Sequence, residues 1–359
     1  MPEKKTFFEK IHYTTVSKVD RLFFVQNLQV MIRSGFPMAE ALKTLSEQTK
    51  KKEFKKIILD LKTQVESGMQ FNQALRKYEY IFSELFINLI QAGEISGNLE
   101  VTLSNLLLQL KKSYALSKKI KNALMYPCVI IVAMLGIGTG MIVFVLPNMV
   151  KMYAESNFIL PWPTRVTIAV SNFLIANILV IGIIFVVLIG VFFFILSREK
   201  GKYLWHTILL KAPIISTIII KINLAKINRV LNSLIATDIP ITDDFNIIAR
   251  TVGNRVYRRY LNSVAEKIGK GESIYSVLKV RDDLFPAVVS QMINVGEQSG
   301  TLDNITKELA DFYEEEVSDT MANLTVIIEP IIMLAIGGGV AFLAVSIIYP
   351  IYAVVNQIQ

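Results

Sequence analysis

The sequence predicts an all-α membrane protein: two homologous cytosolic helical-bundle domains of about six helices each, and three transmembrane helices. Three observations predict it. The chain carries three long apolar runs free of charge, a self-similarity at one constant offset, and apolar residues at helical spacing between the runs.

The apolar runs are residues 128–146, 166–196 and 330–359. A helix needs about 20 apolar residues to cross a bilayer core, and each run meets that length. Three such runs in one chain of 359 residues argue against the alternative of buried soluble helices. The apolar share is 52% and the mean hydropathy is +0.46, an excess concentrated in these runs. The opening stretch MPEKKTFFEKIHYTT has no apolar core, so no cleavable signal peptide is expected there.

The second observation sets the organisation. QAGEISGNL at 91–99 aligns with NVGEQSGTL at 294–302, an offset of 203 residues. The register holds without a gap: Pro37 falls on Pro240, Gly68 on Gly271, Phe82 on Phe285, Pro127 on Pro330, Gly136 on Gly339 and Pro147 on Pro350. So many matches at one offset indicate duplication.

Between the runs the spacing is helical. Leu22, Val25, Leu28 and Ile32 recur at three- and four-residue steps, as do Ile57, Leu61 and Val65, with Gly35 and Gly68 where those helices should end. The chain is therefore expected to run as an N-terminal tail (1–16), a first helical domain (17–123), a first span (124–148), an extracytoplasmic loop (149–165), a second span (166–196), a second helical domain (197–325), a third span (326–352) and an extracytoplasmic tail (353–359). Each copy ends by crossing the membrane, so the second copy regains the first side only through the middle span.

Orientation follows the basic residues. Lys111, Lys112, Lys118, Lys119 and Lys121 precede the first span, and Arg198, Lys200, Lys202 and Lys211 follow the second. The loop between holds only Lys151 and Arg165. Both domains and the N-terminus are thus expected in the cytosol, and the C-terminus outside. Asp311, Glu314, Glu315, Glu316 and Asp319 precede the third span, but acidic residues carry little weight in orientation. The net charge of +8 fits a basic face against anionic lipid rather than nucleic-acid binding.

Enzymatic and metal functions find no support. The one cysteine, Cys128, allows no disulfide within the chain, and His12 and His206 are too few for a zinc site. No phosphate-binding loop, HExxH or GxSxG motif occurs, and GKGES at 269–273 reads as a turn. No catalytic residue, cofactor or metal is expected.

Three sets of residues stand out instead. Gly93, Glu94, Ser96 and Gly97, with Gly296, Glu297, Ser299 and Gly300, form the shared GExSGxL motif. It reads as a helix–turn–helix corner that a left-handed glycine permits, with Asn98 or Thr301 as cap. Alternatively, its glutamates bind a cation, bridge subunits or meet a basic partner. Pro127 and Pro330 stand at the cytosolic mouths of the outer spans, as helix starts or as hinges. Gly136, Gly140, Gly337 and Gly339 are small residues suited to close helix packing within the membrane. A transporter or channel component built on repeats is the competing reading, though no charged residue lies inside the spans and Glu329 stands only at the edge of the third.

LFFVQNLQVMIRSGFPMAEAL (22–42) and NRVLNSLIATDIPITDDFNII (228–248), with GEISGNL and GEQSGTL, resemble the GspF/PilC-type inner-membrane platform family of type II secretion and type IV pilus systems. The resemblance runs from about residue 17 to 355; the second copy departs from it by placing Asp238 where the first has Gly35. It implies a non-enzymatic platform that couples a hexameric cytosolic assembly ATPase to the insertion of pilin or pseudopilin subunits into a filament. The implied partners are that ATPase, the pilins, other inner-membrane assembly proteins, membrane lipids and further copies of the chain.

Overall fold

The computed structural model describes residues 16–141, 176–235 and 240–358, with isolated positions between 144 and 173. The expected tail, the extracytoplasmic loop, the start of the middle span and Asp238 lie outside the described residues. Those described are helical throughout, without a strand.

The first repeat comprises α1 (Lys18–Arg33), α2 (Met38–Gln48), α3 (Lys52–Glu66), α4 (Phe71–Arg76), α5 (Glu84–Ile95) and α6 (Leu99–Gly140). Then come α7 (Ile178–Ser197) and α8 (Glu199–Lys211). The second repeat comprises α9 (Ile215–Ile235), α10 (Ile241–Thr251), α11 (Arg255–Gly269), α12 (Ile274–Leu278), a 3₁₀ turn (Lys279–Arg281), α13 (Ala287–Ser299) and α14 (Leu302–Ile358).

Local chemistry sets the helix ends. Ser17 and Asp20 form a reciprocal capping box at the start of α1: the Asp20 N–H donates to Ser17 Oγ at 3.2 Å and the Ser17 N–H to Asp20 Oδ2 at 2.7 Å. The Asn254 side chain accepts from the N–H groups of Val256 and Tyr257 to open α11. After α3 and α11 the chain turns through Gly68 and Gly271, at φ +90° and +91°.

Packing repeats as well. In the first repeat Phe24, Phe54 and Phe82 are buried together, with Phe24 5.7 Å from Phe54 and 5.6 Å from Phe82 between ring centroids. In the second, Ile227, Tyr257 and Phe285 hold the same register positions, all buried, with Tyr257 and Phe285 5.7 Å apart. One carbonyl in each core finds a different donor. Arg21 Nη1 donates to the Ile81 carbonyl at 2.8 Å, whereas the Tyr257 hydroxyl donates to Leu284, the equivalent carbonyl, at 2.7 Å. A buried carbonyl needs a donor, and each copy supplies its own.

The chain divides into two compact units. One holds the residues up to Lys118 together with Tyr203–Val317, so it contains the polar helices of both repeats. The other holds Lys119–Lys202 and Ser318–Gln359, the apolar segments. Two helices are long and apolar enough to cross a membrane, Leu99–Gly140 and Leu302–Phe342. A third candidate is the pair Gly182–Ser197 and Glu199–Lys211, which bends by 100° at its break. Pro127 and Pro330 lie inside α6 and α14, so neither proline starts a helix.

Candidate functional site

The shared motif is built alike in both repeats. α4 and α12 are short helices whose first N–H groups have no partner within the helix. In the first repeat, Glu94 on α5 supplies one. Its Oε1 accepts from the Phe71 N–H at 2.7 Å, and its Oε2 from the Asn72 N–H at 2.9 Å and from Asn72 Nδ2. In the second repeat, Glu297 on α13 accepts from the Ile274 N–H at 2.9 Å and the Tyr275 N–H at 3.2 Å. Each glutamate therefore caps a helix that begins some twenty residues earlier in the chain, with its charge at the positive helix end.

The glycines carry separate duties. Gly97 and Gly300 turn the chain at φ +70°, a conformation that a Cβ disfavours. Gly93 and Gly296 lie within their helices, where α5 and α13 meet the following helix. A Cβ on Gly93 would fall 2.5 Å from Thr102 Oγ1, and one on Gly296 would fall 3.1 Å from the Leu302 Cα. Ser96 Oγ reaches the Gly93 carbonyl at 3.4 Å, and Ser299 Oγ reaches that of Val295 at 2.7 Å and the Thr301 hydroxyl at 2.6 Å.

Charges that sequence analysis did not pair tie α9 to α14 within the second repeat and reach the first repeat through Lys112. Arg229 on α9 donates from Nε to Glu314 at 2.8 Å and from Nη2 to Asp311 at 2.5 Å, and Lys112 on α6 also bridges to Asp311. Lys221 pairs with Glu316 at 2.7 Å. Burial works against the Arg229 charge, but its hydrogen bonds to Glu314 and Asp311 outweigh it and raise its pKa further. The acidic stretch before the third apolar run, read from sequence as a weak topology signal, thus holds Arg229 and Lys221 of its own repeat and, through Asp311 and Glu314, Lys112 of the first. The signal available was an acidic stretch on one helix with basic residues on two others; their pairing needs the tertiary contact.

Other candidate positions lie apart from these clusters. Apart from the adjoining backbone of its own helix, nothing lies within 4 Å of the place a Cβ would take on Gly136, Gly140, Gly337 or Gly339. His206, one of the two histidines too few for a zinc site, accepts at Nδ1 from the Arg255 N–H at 3.0 Å and so sits at the start of α11. Among the described residues no group of histidine, cysteine, aspartate and glutamate is arranged to hold a metal ion.

Two helical repeats in the same register, each with a glutamate-capped corner and a last helix that becomes apolar, coincide with one known family. The profile of type II secretion system protein F matches residues 24–147 and again residues 228–350. The chain belongs to that family. Type IV pilus assembly protein PilC of Myxococcus xanthus is 31% identical over 340 residues, covering 95% of this chain and 81% of the relative. PilC of Thermus thermophilus is 30% identical over 340 residues, covering 95% and 84%. Type II secretion system protein F of Aeromonas hydrophila is 27% identical over 339 residues, covering 93% and 86%. The two profile matches repeat the duplication seen in the structure, and the apolar helices fit a membrane protein.

Proposed function

We propose that this member of the protein F family is a non-enzymatic inner-membrane platform that couples a cytosolic assembly ATPase to the insertion of pilin or pseudopilin subunits into a filament. It crosses the membrane three times, by 124–148, 166–196 and 326–352, with both helical domains and the N-terminus in the cytosol. The observation that carries this reading is that each repeat ends in one uninterrupted helix, α6 or α14, polar where it begins and apolar where it ends. A continuous helix passes displacement from one end to the other. Pro127 and Pro330, where each helix lacks one backbone bond, are the places where it would bend.

The named relatives support the setting, since they are assembly proteins of type IV pili and components of type II secretion. The open space beside Gly136, Gly140, Gly337 and Gly339 supports a role for these glycines in receiving an apolar helix of another chain, such as a pilin's. Deleting the gene and restoring it on a plasmid tests the reading. Loss of surface filaments or pseudopilus-dependent secretion, with recovery on restoration and co-purification of the ATPase, is expected. Normal filaments and secretion in the deletion strain would refute it. Ion flux through vesicles holding the purified protein would favour a transport component instead.

A further inference from the structure

The helical unit uses only half of the contact surfaces that its duplication supplies. In the first repeat, α5 packs against α10 of the second. Arg250 Nε lies 2.6 Å from Glu84 Oε2, beside a cleft of about 690 Å³ with Arg76, Asn88 and Ala92 on one wall and Asp243 and Ile247 on the other. The contact joins unlike faces. By register, α13 is the second repeat's version of α5, and α2 is the first repeat's version of α10. One face of each kind is therefore used and one of each kind is left, on α13 and on α2.

Burial records the difference position by position. Leu85 is 5% exposed, and its counterpart Val288 is 62% exposed. Ala92 is half-buried, and its counterpart Val295 is 54% exposed. Asn88 is half-buried and Gln291 exposed; Ile247 is buried and Thr44 only half-buried. Val288, Gln291 and Val295 share one face of α13. That face offers solvent two valines, and Phe36, just before α2, is 45% exposed at the other free surface.

The charges match in the sense used inside the chain. Across the covered cleft Arg76 stands on the α5 side and Asp243 on the α10 side. Their counterparts are Lys279 and Glu40, both exposed. The Glu84–Arg250 bridge has no equivalent, because Ala287 and Glu47 stand there. Glu47 instead adds to the acidity of the α2 face, with Lys43 at its margin, opposite a face that bears Lys279.

We propose that α13 of one copy docks on α2 of the next, repeating between chains the contact that joins the repeats within one. Because the faces differ, association is heterologous: chains add head to tail, and the rotation between successive copies sets whether and at what number they close into a ring. The proposal stands apart from the assembly role, since its test reads contact between copies and not filament growth.

The full-length protein in membranes, with Cys128→Ser as background, carries Val288→Cys in one tagged copy and Thr44→Cys in a co-expressed second copy. Oxidation is expected to cross-link the mixed pair and neither variant alone. Equal cross-linking by either variant alone, cross-linking of Val288→Cys to a different protein, or no cross-linking with a monomeric mass in nanodiscs would each overturn the proposal. Val288→Asp is expected to raise the dissociation constant between copies by about tenfold or more, because a charge would replace an apolar interface residue. Its helical circular dichroism and melting should stay unchanged, since Val288 is exposed within the chain. Lys279→Glu and Glu40→Lys should each weaken association, and mixing the two variants should recover it. Association unaffected by all of these substitutions would also overturn the proposal.

Discussion

At the scale of single residues, the duplication supplies its own controls. Glu94 and Glu297 accept from the first N–H groups of α4 and α12. Glu94→Gln and Glu297→Gln keep an acceptor but lose the charge at the helix end. Each should lower unfolding free energy by about 1 kcal/mol, measured by thermal or denaturant unfolding in detergent. If filament assembly then falls further than protein level does, the carboxylates have a second duty towards a partner. Asp244 is a sharper case. Its side chain is buried, its Oδ1 has no partner, and burial together with neighbouring Asp243 pushes its carboxyl up to about 7. Below its unfolded pKa of about 4 both states hold the proton and the stability is fully present. As pH rises towards 7 the unfolded chain ionises first, so stability falls, and it levels off above 7. The first repeat places Ala41 at the same buried position. Asp244→Ala should flatten that pH slope and raise stability at pH 8 by about 1–3 kcal/mol, read from unfolding curves across pH.

At the scale of elements, the corners and the long helices make separable predictions. Gly97→Ala puts a Cβ on a left-handed residue and should cost about 1–2 kcal/mol, read from the melting of the purified protein. Gly93→Ala leaves that turn alone but drives a methyl group into Thr102, so it should loosen α5 from α6; faster amide exchange in both helices would report it. Pro127→Ala and Pro330→Ala restore a backbone donor inside α6 and α14. If bending at these points passes movement along the helices, the double variant keeps normal protein level and loses filament assembly. Full assembly by that variant would remove the prolines from the mechanism. Motif spacing made Gly97 and Gly300 readable as corners. The separate duty of Gly93 and Gly296 was not readable, because it depends on how closely another helix approaches.

At the scale of the whole molecule, one charge cluster ties α9 to α14 within the second repeat and reaches α6 of the first through Lys112. Arg229 is largely buried between Glu314 and Asp311. Arg229→Ala leaves two acids sharing Lys112 and should destabilise the unit by about 1–3 kcal/mol. Amide exchange in α9 and the first half of α14 should accelerate before global melting. A reporter fused at Gln359 addresses topology: activity outside the cytosol is expected, and activity only in the cytosol would reverse the orientation proposed here.

Read alone, the amino-acid order determined the family, the duplication and the helical class. Each rests on covalent spacing: matches at one offset, apolar residues at helical steps, and charge-free runs long enough to span a bilayer. Tertiary structure alone decided which donors reach Glu94 and Glu297, that Asp311 and Glu314 serve Arg229 and Lys112, and that Leu85 is covered while Val288 is bare. Leu85 and Val288 are similar side chains at equivalent positions, so no local rule separates them. They differ in what packs against them, and packing is set by distance in space rather than by distance along the chain.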